Sequence, residues 1–132
     1  ILPEHGLDAD RAGEAEELVR AVMRSAVWRR ALRSEARFTE IPFTFEKRVG
    51  VPRPVLIRGS IDLVFRETDG WVLVDYKTDR LRGREPGALA LRYAPQVLLY
   101  AEAWEHTTGE RPRETALYFV REVLYVPVPP EG

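Results

Sequence analysis

Cysteine is absent from the 132-residue chain, and that excludes disulfides, thiolate zinc sites and iron–sulfur clusters. Missing too is any apolar run near the ~20 residues a helix needs to cross a bilayer. No short apolar stretch behind a basic start marks a secretory signal. These absences together predict a cytoplasmic protein with no membrane segment. Net charge is small, at −1, so no broad basic field announces a polyanionic partner. A nucleic acid would have to be met by clustered arginines or by another part of a longer protein. Lysine is nearly missing as well. Only Lys47 and Lys77 occur, and the other eighteen basic residues are arginine. What remains is ordinary for a globular domain, with 45% hydrophobic and 31% charged residues, and the length predicts one domain over 1–132. The chain opens at Ile1 and is read as a piece of a longer protein.

Hydrophobic periodicity supplies the elements. Leu2 to Asp10 reads as loop, with Asp10 a candidate cap. From Arg11 to Ser34, Leu18, Val22, Val27, Ala31 and Leu32 recur at helical spacing, with glutamates early and arginines late. Ser25 caps better than it propagates and is expected to divide this run into two helices. From Phe38 the period becomes two, Thr39, Ile41, Phe43 and Phe45 alternating with polar residues and Pro42, which suits an edge strand. Gly50 to Pro54 reads as a turn. Val55–Glu67 and Trp71–Thr78 are the next strands, with Asp69-Gly70 as the expected hairpin turn. A basic loop from Arg80 to Gly87 leads into a long helix over Ala88–Thr107, and Gly109 is placed to end it. Strands over Thr115–Val120 and Val123–Val128 complete an α/β fold: a mixed sheet of about five strands flanked by helices.

One hairpin carries chemistry. Period two puts Asp75 and Lys77 on one face. With Asp69-Gly70 as the turn, Asp62 falls across from Lys77 and diagonally from Asp75. Ile61, Leu63, Phe65, Val72, Val74 and Tyr76 then form the apolar face. Diagonal neighbours about 7–8 Å apart can converge on one cation. Two carboxylates, a backbone carbonyl, and water or phosphate oxygens suit magnesium. Such an ion would polarise a phosphate and acidify a bound water, with Lys77 holding that water or offsetting developing charge. Lysine in a chain so committed to arginine suggests that a compact ammonium is needed there. The same pattern also fits an exposed Asp–Lys ion pair worth ~0–1 kcal/mol, and the pattern alone leaves both open.

Three segments taken in order resemble a known family. Gly59-Ser60-Ile61-Asp62-Leu63-Val64, Val74-Asp75-Tyr76-Lys77-Thr78-Asp79 and Tyr93-Ala94-Pro95-Gln96-Val97-Leu98-Leu99-Tyr100 are similar to the nuclease domain of RecB/AddA-type helicase–nucleases, within the PD-(D/E)XK nuclease superfamily. The resemblance runs from about Phe38 to Val120 and implies a restriction-endonuclease-like fold. It implies Asp62 and Asp75 as metal-binding acids, Tyr76 as the backbone carbonyl ligand and Lys77 as the catalytic lysine. Gln96 and Tyr100 match the glutamine–tyrosine helix motif, and Glu40 resembles a glutamate that approaches the same site. The implied cofactor is magnesium, with manganese as a substitute and no iron–sulfur cluster. The implied partners are DNA, the helicase domains of a parent chain and a partner subunit, in double-strand-break repair and recombination.

The family also places a histidine on a helix before the first strand. His5 is the sole early histidine and sits in apparent loop, so the chain is expected to lack that helix, as a fragment from the C-terminal part of a helicase–nuclease that could be weakly active or inactive. His106, late on the long helix, suits a charge partner of the helix end. Arg80, Arg82 and Arg84 follow the catalytic strand and could hold a DNA backbone or simply be solvated. Arg29, Arg30, Arg33 and Arg37 form a second basic stretch with the same two readings. A nuclease-like module without activity, serving DNA binding or protein docking, is the main alternative. Another nuclease on the same scaffold is a third reading, against which the glutamine–tyrosine motif counts.

Overall fold

Ser25 divides the first helical run, as its chemistry predicts. Its Oγ accepts a hydrogen bond from Trp28 N at 3.1 Å and donates to Val22 O at 2.6 Å. It thereby caps α2 (Ala26–Leu32) and closes α1 (Ala9–Met23). The structure, a computed structural model, describes residues 9–48, 50 and 53–129. Asp10 lies inside α1 and is not the expected cap. His5 and most of the expected leading loop fall outside the described residues, as do Val51 and Pro52 of the expected turn.

Five strands follow the anticipated order: β1 (Ala36–Lys47), β2 (Val55–Glu67), β3 (Gly70–Lys77), β4 (Glu114–Phe119) and β5 (Leu124–Pro127), with α3 (Pro86–Thr108) between β3 and β4. They form a single sheet in sequence order, parallel only between β3 and β4. That parallel pair requires a crossover, which α3 supplies. Pro42 sits on β1, an edge strand, where a sheet tolerates proline best. The long helix starts two residues before its apolar pattern does. Pro86 takes its first turn, and the Glu85 side chain accepts from Gly87 N and Ala88 N. Gly109, at φ 84°, ends it.

The β2–β3 register differs from the one that the Asp-Gly turn rule implies. Glu67 pairs with Gly70 and Leu63 with Val74, so the two-residue loop is Thr68-Asp69. A tertiary partner explains this. Arg113, entering β4, lies across Gly70 so closely that a Cβ there would sit 3.0 Å from Arg113 Cβ. Its Nε is 3.0 Å from Asp69 Oδ1, and its N–H donates to Trp71 O at 2.8 Å. The slip of two residues preserves every face but changes the neighbours. Asp62 stands one step beyond the Leu63–Val74 pair, in line with Asp75, rather than opposite Lys77.

A second departure lies where β1 meets β2. Thr39 pairs with Leu63 and Ile41 with Ile61, while Glu40 and Asp62 between them drop out of the ladder, and Glu40 has φ +50°. Alternation restarts on the opposite side. Ile61 and Val64 both enter the core beneath α3, with Leu73, Leu117 and Phe119. Leu63 and Phe65 enter the other core with Val72 and Val74, under α2. Ile61 therefore does not share a face with Leu63, as strict alternation predicted. The sheet is packed on both sides, in an α/β/α sandwich.

Candidate metal centre where β2 and β3 part

The last paired rung of β2 and β3 is Leu63–Val74. Beyond it, the Tyr76 N–H donates to Asp62 Oδ2 at 2.8 Å. The kink at Glu40 and Asp62 thus delivers a carboxylate to the rim of β3. Asp75 arrives from the other direction. It shares a face with Leu73 and is almost fully buried, at 5% exposure, beneath α3. The two carboxyls meet. Burial first, and then the hydrogen bond with Asp75, push the Asp62 carboxyl well above the ordinary carboxylate range, to about 7.

Lys77 is the cation present. Its Nζ lies 2.9 Å from Asp75 Oδ2 and donates to Gln96 Oε1 at 2.7 Å. The approach to Asp75 is an ion-pair contact without hydrogen-bond alignment, so Asp75 Oδ2 stays a buried acceptor with no hydrogen-bond partner. The ammonium offsets part of that oxygen's charge but leaves its hydrogen-bonding capacity unfilled. Gln96 in turn donates from Nε2 to the Tyr100 hydroxyl at 3.1 Å. Burial raises the Tyr100 phenol above its ordinary range, which keeps it protonated. Gly59 makes this helix approach possible, since a Cβ there would meet the Phe43 ring at 2.8 Å and Tyr100 Cε1 at 3.2 Å. The crossover thus brings Asp62, Asp75, Lys77, Gln96 and Tyr100 into one connected group.

A divalent cation fits this group on its own chemistry. Two carboxylates driven together in a partly dry site repel, Lys77 supplies one positive charge against the two, and a bound dication would relieve the rest. Among the described residues, no three Asp, Glu, His or Cys side chains gather to hold a metal by themselves. Any cation here therefore needs backbone or solvent oxygens as well. Glu40 is exposed and lines a recess of about 380 Å³ together with Asp62, Tyr76, Thr78 and apolar residues of α1, among them Leu18, Val22 and Met23.

The arginines divide by occupation. Arg84 curls back on its own loop, donating to Leu81 O and Arg80 O at 2.8 and 2.7 Å. Arg80 and Arg82 are exposed. Arg30 is engaged by two glutamates and is not available to a ligand. Exposed His106, on the last turn of α3, lies 5.9 Å from the Phe45 ring. Arg121 was invisible from the sequence. It donates from Nε to Thr78 O at 2.6 Å and pairs with Glu14, tying α1 to the residue after Lys77. Its partners lie 43 and 107 positions away, so no local signal could have found it.

The PD-(D/E)XK nuclease superfamily model matches residues 1–130. Among curated proteins, the chain is 36% identical over 104 residues to an ATP-dependent helicase/nuclease subunit from Alkaliphilus metalliredigens, covering 72% of this chain and 9% of that protein. To the protein of the same name from Carboxydothermus hydrogenoformans it is 38% identical over 99 residues, covering 69% and 8%. The chain thus spans less than a tenth of these relatives' length. The crystal structure of SSO0001 shares the fold at a TM-score of 0.60 and 15% identity, over 94% of this chain and 53% of that one. With fold, acid pair and lysine in place, the chain belongs to the PD-(D/E)XK nuclease superfamily.

Proposed function

We propose that this domain is a magnesium-dependent DNA nuclease of exonuclease type. The observation that carries the reading is the buried carboxylate of Asp75, with Lys77 Nζ 2.9 Å from its Oδ2, beside the raised carboxyl of Asp62. Asp62, Asp75 and the Tyr76 carbonyl would hold the ion, with water or phosphate oxygens completing its shell. When bound, magnesium polarises the scissile phosphate and acidifies a water molecule. Lys77 sits beside the acids, placed to donate to the attacking water or to a non-bridging phosphoryl oxygen. Gln96 fixes that amine, and Tyr100 fixes Gln96. Arg80 and Arg82, exposed just past the catalytic strand, would hold the DNA backbone, with Arg84 shaping their loop.

The relatives' names, taken with the small share of each that the chain covers, support a wider setting. In it, this domain is the C-terminal nuclease of a helicase–nuclease. It is fed DNA by its own helicase domains and a partner subunit, in cytoplasmic double-strand-break repair.

Cleavage of linear DNA by the intact protein with magnesium or manganese is the test. Asp75→Ala and Lys77→Ala are each expected to lower the rate by roughly 10²-fold or more while leaving the fold intact. Undiminished cleavage by either variant refutes the assignment.

A further inference from the structure

Tyr93 stands one turn ahead of Gln96 on α3 and turns its ring toward Lys77. The amine nitrogen lies 4.4 Å from the ring centroid, and the Tyr93 hydroxyl reaches Asp79 Oδ2 at 3.4 Å. Lys77 is therefore gripped by three groups: Asp75, Gln96 and the aromatic face. They do not act alike once a dication is bound. A cation on Asp75 competes with the ammonium for the same carboxylate and repels it. The grip that survives must come from uncharged groups. Gln96 provides one hydrogen bond, and the ring quadrupole of Tyr93 provides attraction from another direction.

We propose that Tyr93 is a positioning residue whose ring face, rather than its hydroxyl, holds the Lys77 ammonium beside the acid pair. The kinetic consequence rests on the nuclease reading; the placement itself does not. Lysine scarcity makes the placement measurable, because Lys47 and Lys77 give the only two sets of lysine side-chain resonances.

In the 132-residue chain, the ε-methylene protons of Lys77, identified by their loss in Lys77→Arg, are expected upfield of those of Lys47 through the Tyr93 ring current. Tyr93→Phe keeps that shift and keeps cleavage. Tyr93→Leu loses the shift and lowers kcat by roughly 3- to 30-fold, as the loss of a cation–π contact implies, with KM unchanged. Should Tyr93→Leu fail to fold, the shift in the wild-type chain and in Tyr93→Phe still decides the placement. An unshifted Lys77 overturns the proposal. So does a Tyr93→Leu variant whose KM rises at constant kcat, which would make Tyr93 a substrate contact. Failure of Tyr93→Phe alongside Tyr93→Leu would overturn it too, by assigning the role to the hydroxyl. A shifted Lys77 together with no DNA cleavage by the intact protein supports the placement and sinks the nuclease reading. A cleaving chain with unshifted Lys77 does the reverse.

Discussion

Glu40 has φ +50° and leaves the β1–β2 ladder together with Asp62. A non-glycine residue in the left-handed region costs about 1–2 kcal/mol, a strain that persists only where surrounding structure enforces it. Here the kink turns Asp62 toward β3. On this account Glu40 matters through its backbone rather than its carboxylate. Glu40→Gly, which adopts positive φ freely, should keep DNA cleavage and a stability within about 1 kcal/mol of wild type. Glu40→Gln should also remain active. Metal-dependent cleavage rates for the two variants check this, and loss of activity in both would place the carboxylate on the cation. Sequence could not announce this kink, because nothing distinguishes Glu40 from any other exposed strand glutamate. Asp75 and Lys77 were legible, since an alternating strand leaves them only one shared face.

At the scale of elements, α2 has seven residues and is too short to persist alone. Besides Val27 and Ala31, Arg30 docks it to the sheet. The guanidinium donates to both oxygens of Glu67, at 2.7 and 2.8 Å, and to both of Glu114, at 2.9 Å. The Arg30 hydrogen bonds hold the Glu114 carboxyl down at about 2, and they lower Glu67 as well. Carboxyls depressed in the folded state stabilise it above their ordinary range. That contribution is lost as pH falls from about 4.5 toward 2. Arg30→Lys, which cannot match two carboxylates with a planar fork, should cost about 1–3 kcal/mol at neutral pH. It should also flatten the acid side of the stability profile, read from urea midpoints between pH 2 and 6. An unchanged acid slope would contradict this role. The same contacts show why a run of arginines in sequence is a poor guide to a DNA surface: Arg30 is committed within the fold, and Arg37 stacks over the Trp28 ring.

Across the whole molecule, the order of helices and strands followed from changes of period between 3.6 and two, and the mixed sheet followed from that order. Contacts distant in sequence set the rest. Arg113 shifted the hairpin register by two residues, and Arg121 joined α1 to the end of β3. Glu85 extended α3 backward, against the usual preference for Ser, Thr, Asp or Asn at that position. The pairing of Gln96 with Lys77 needs the α3 crossover and was suggested only by resemblance. What these long-range contacts achieve together is to force the Asp62 and Asp75 carboxyls into one partly dry site, where the single positive charge of Lys77 does not balance both carboxylates. Their shared affinity for a dication is the central claim. Thermal unfolding at pH 8 with increasing manganese tests it most directly. The wild-type midpoint should rise in a saturable way as ligand binds the folded state alone, and the rise should vanish in both Asp62→Asn and Asp75→Asn. An equal rise in either variant would show that the ion binds elsewhere and would contradict the account.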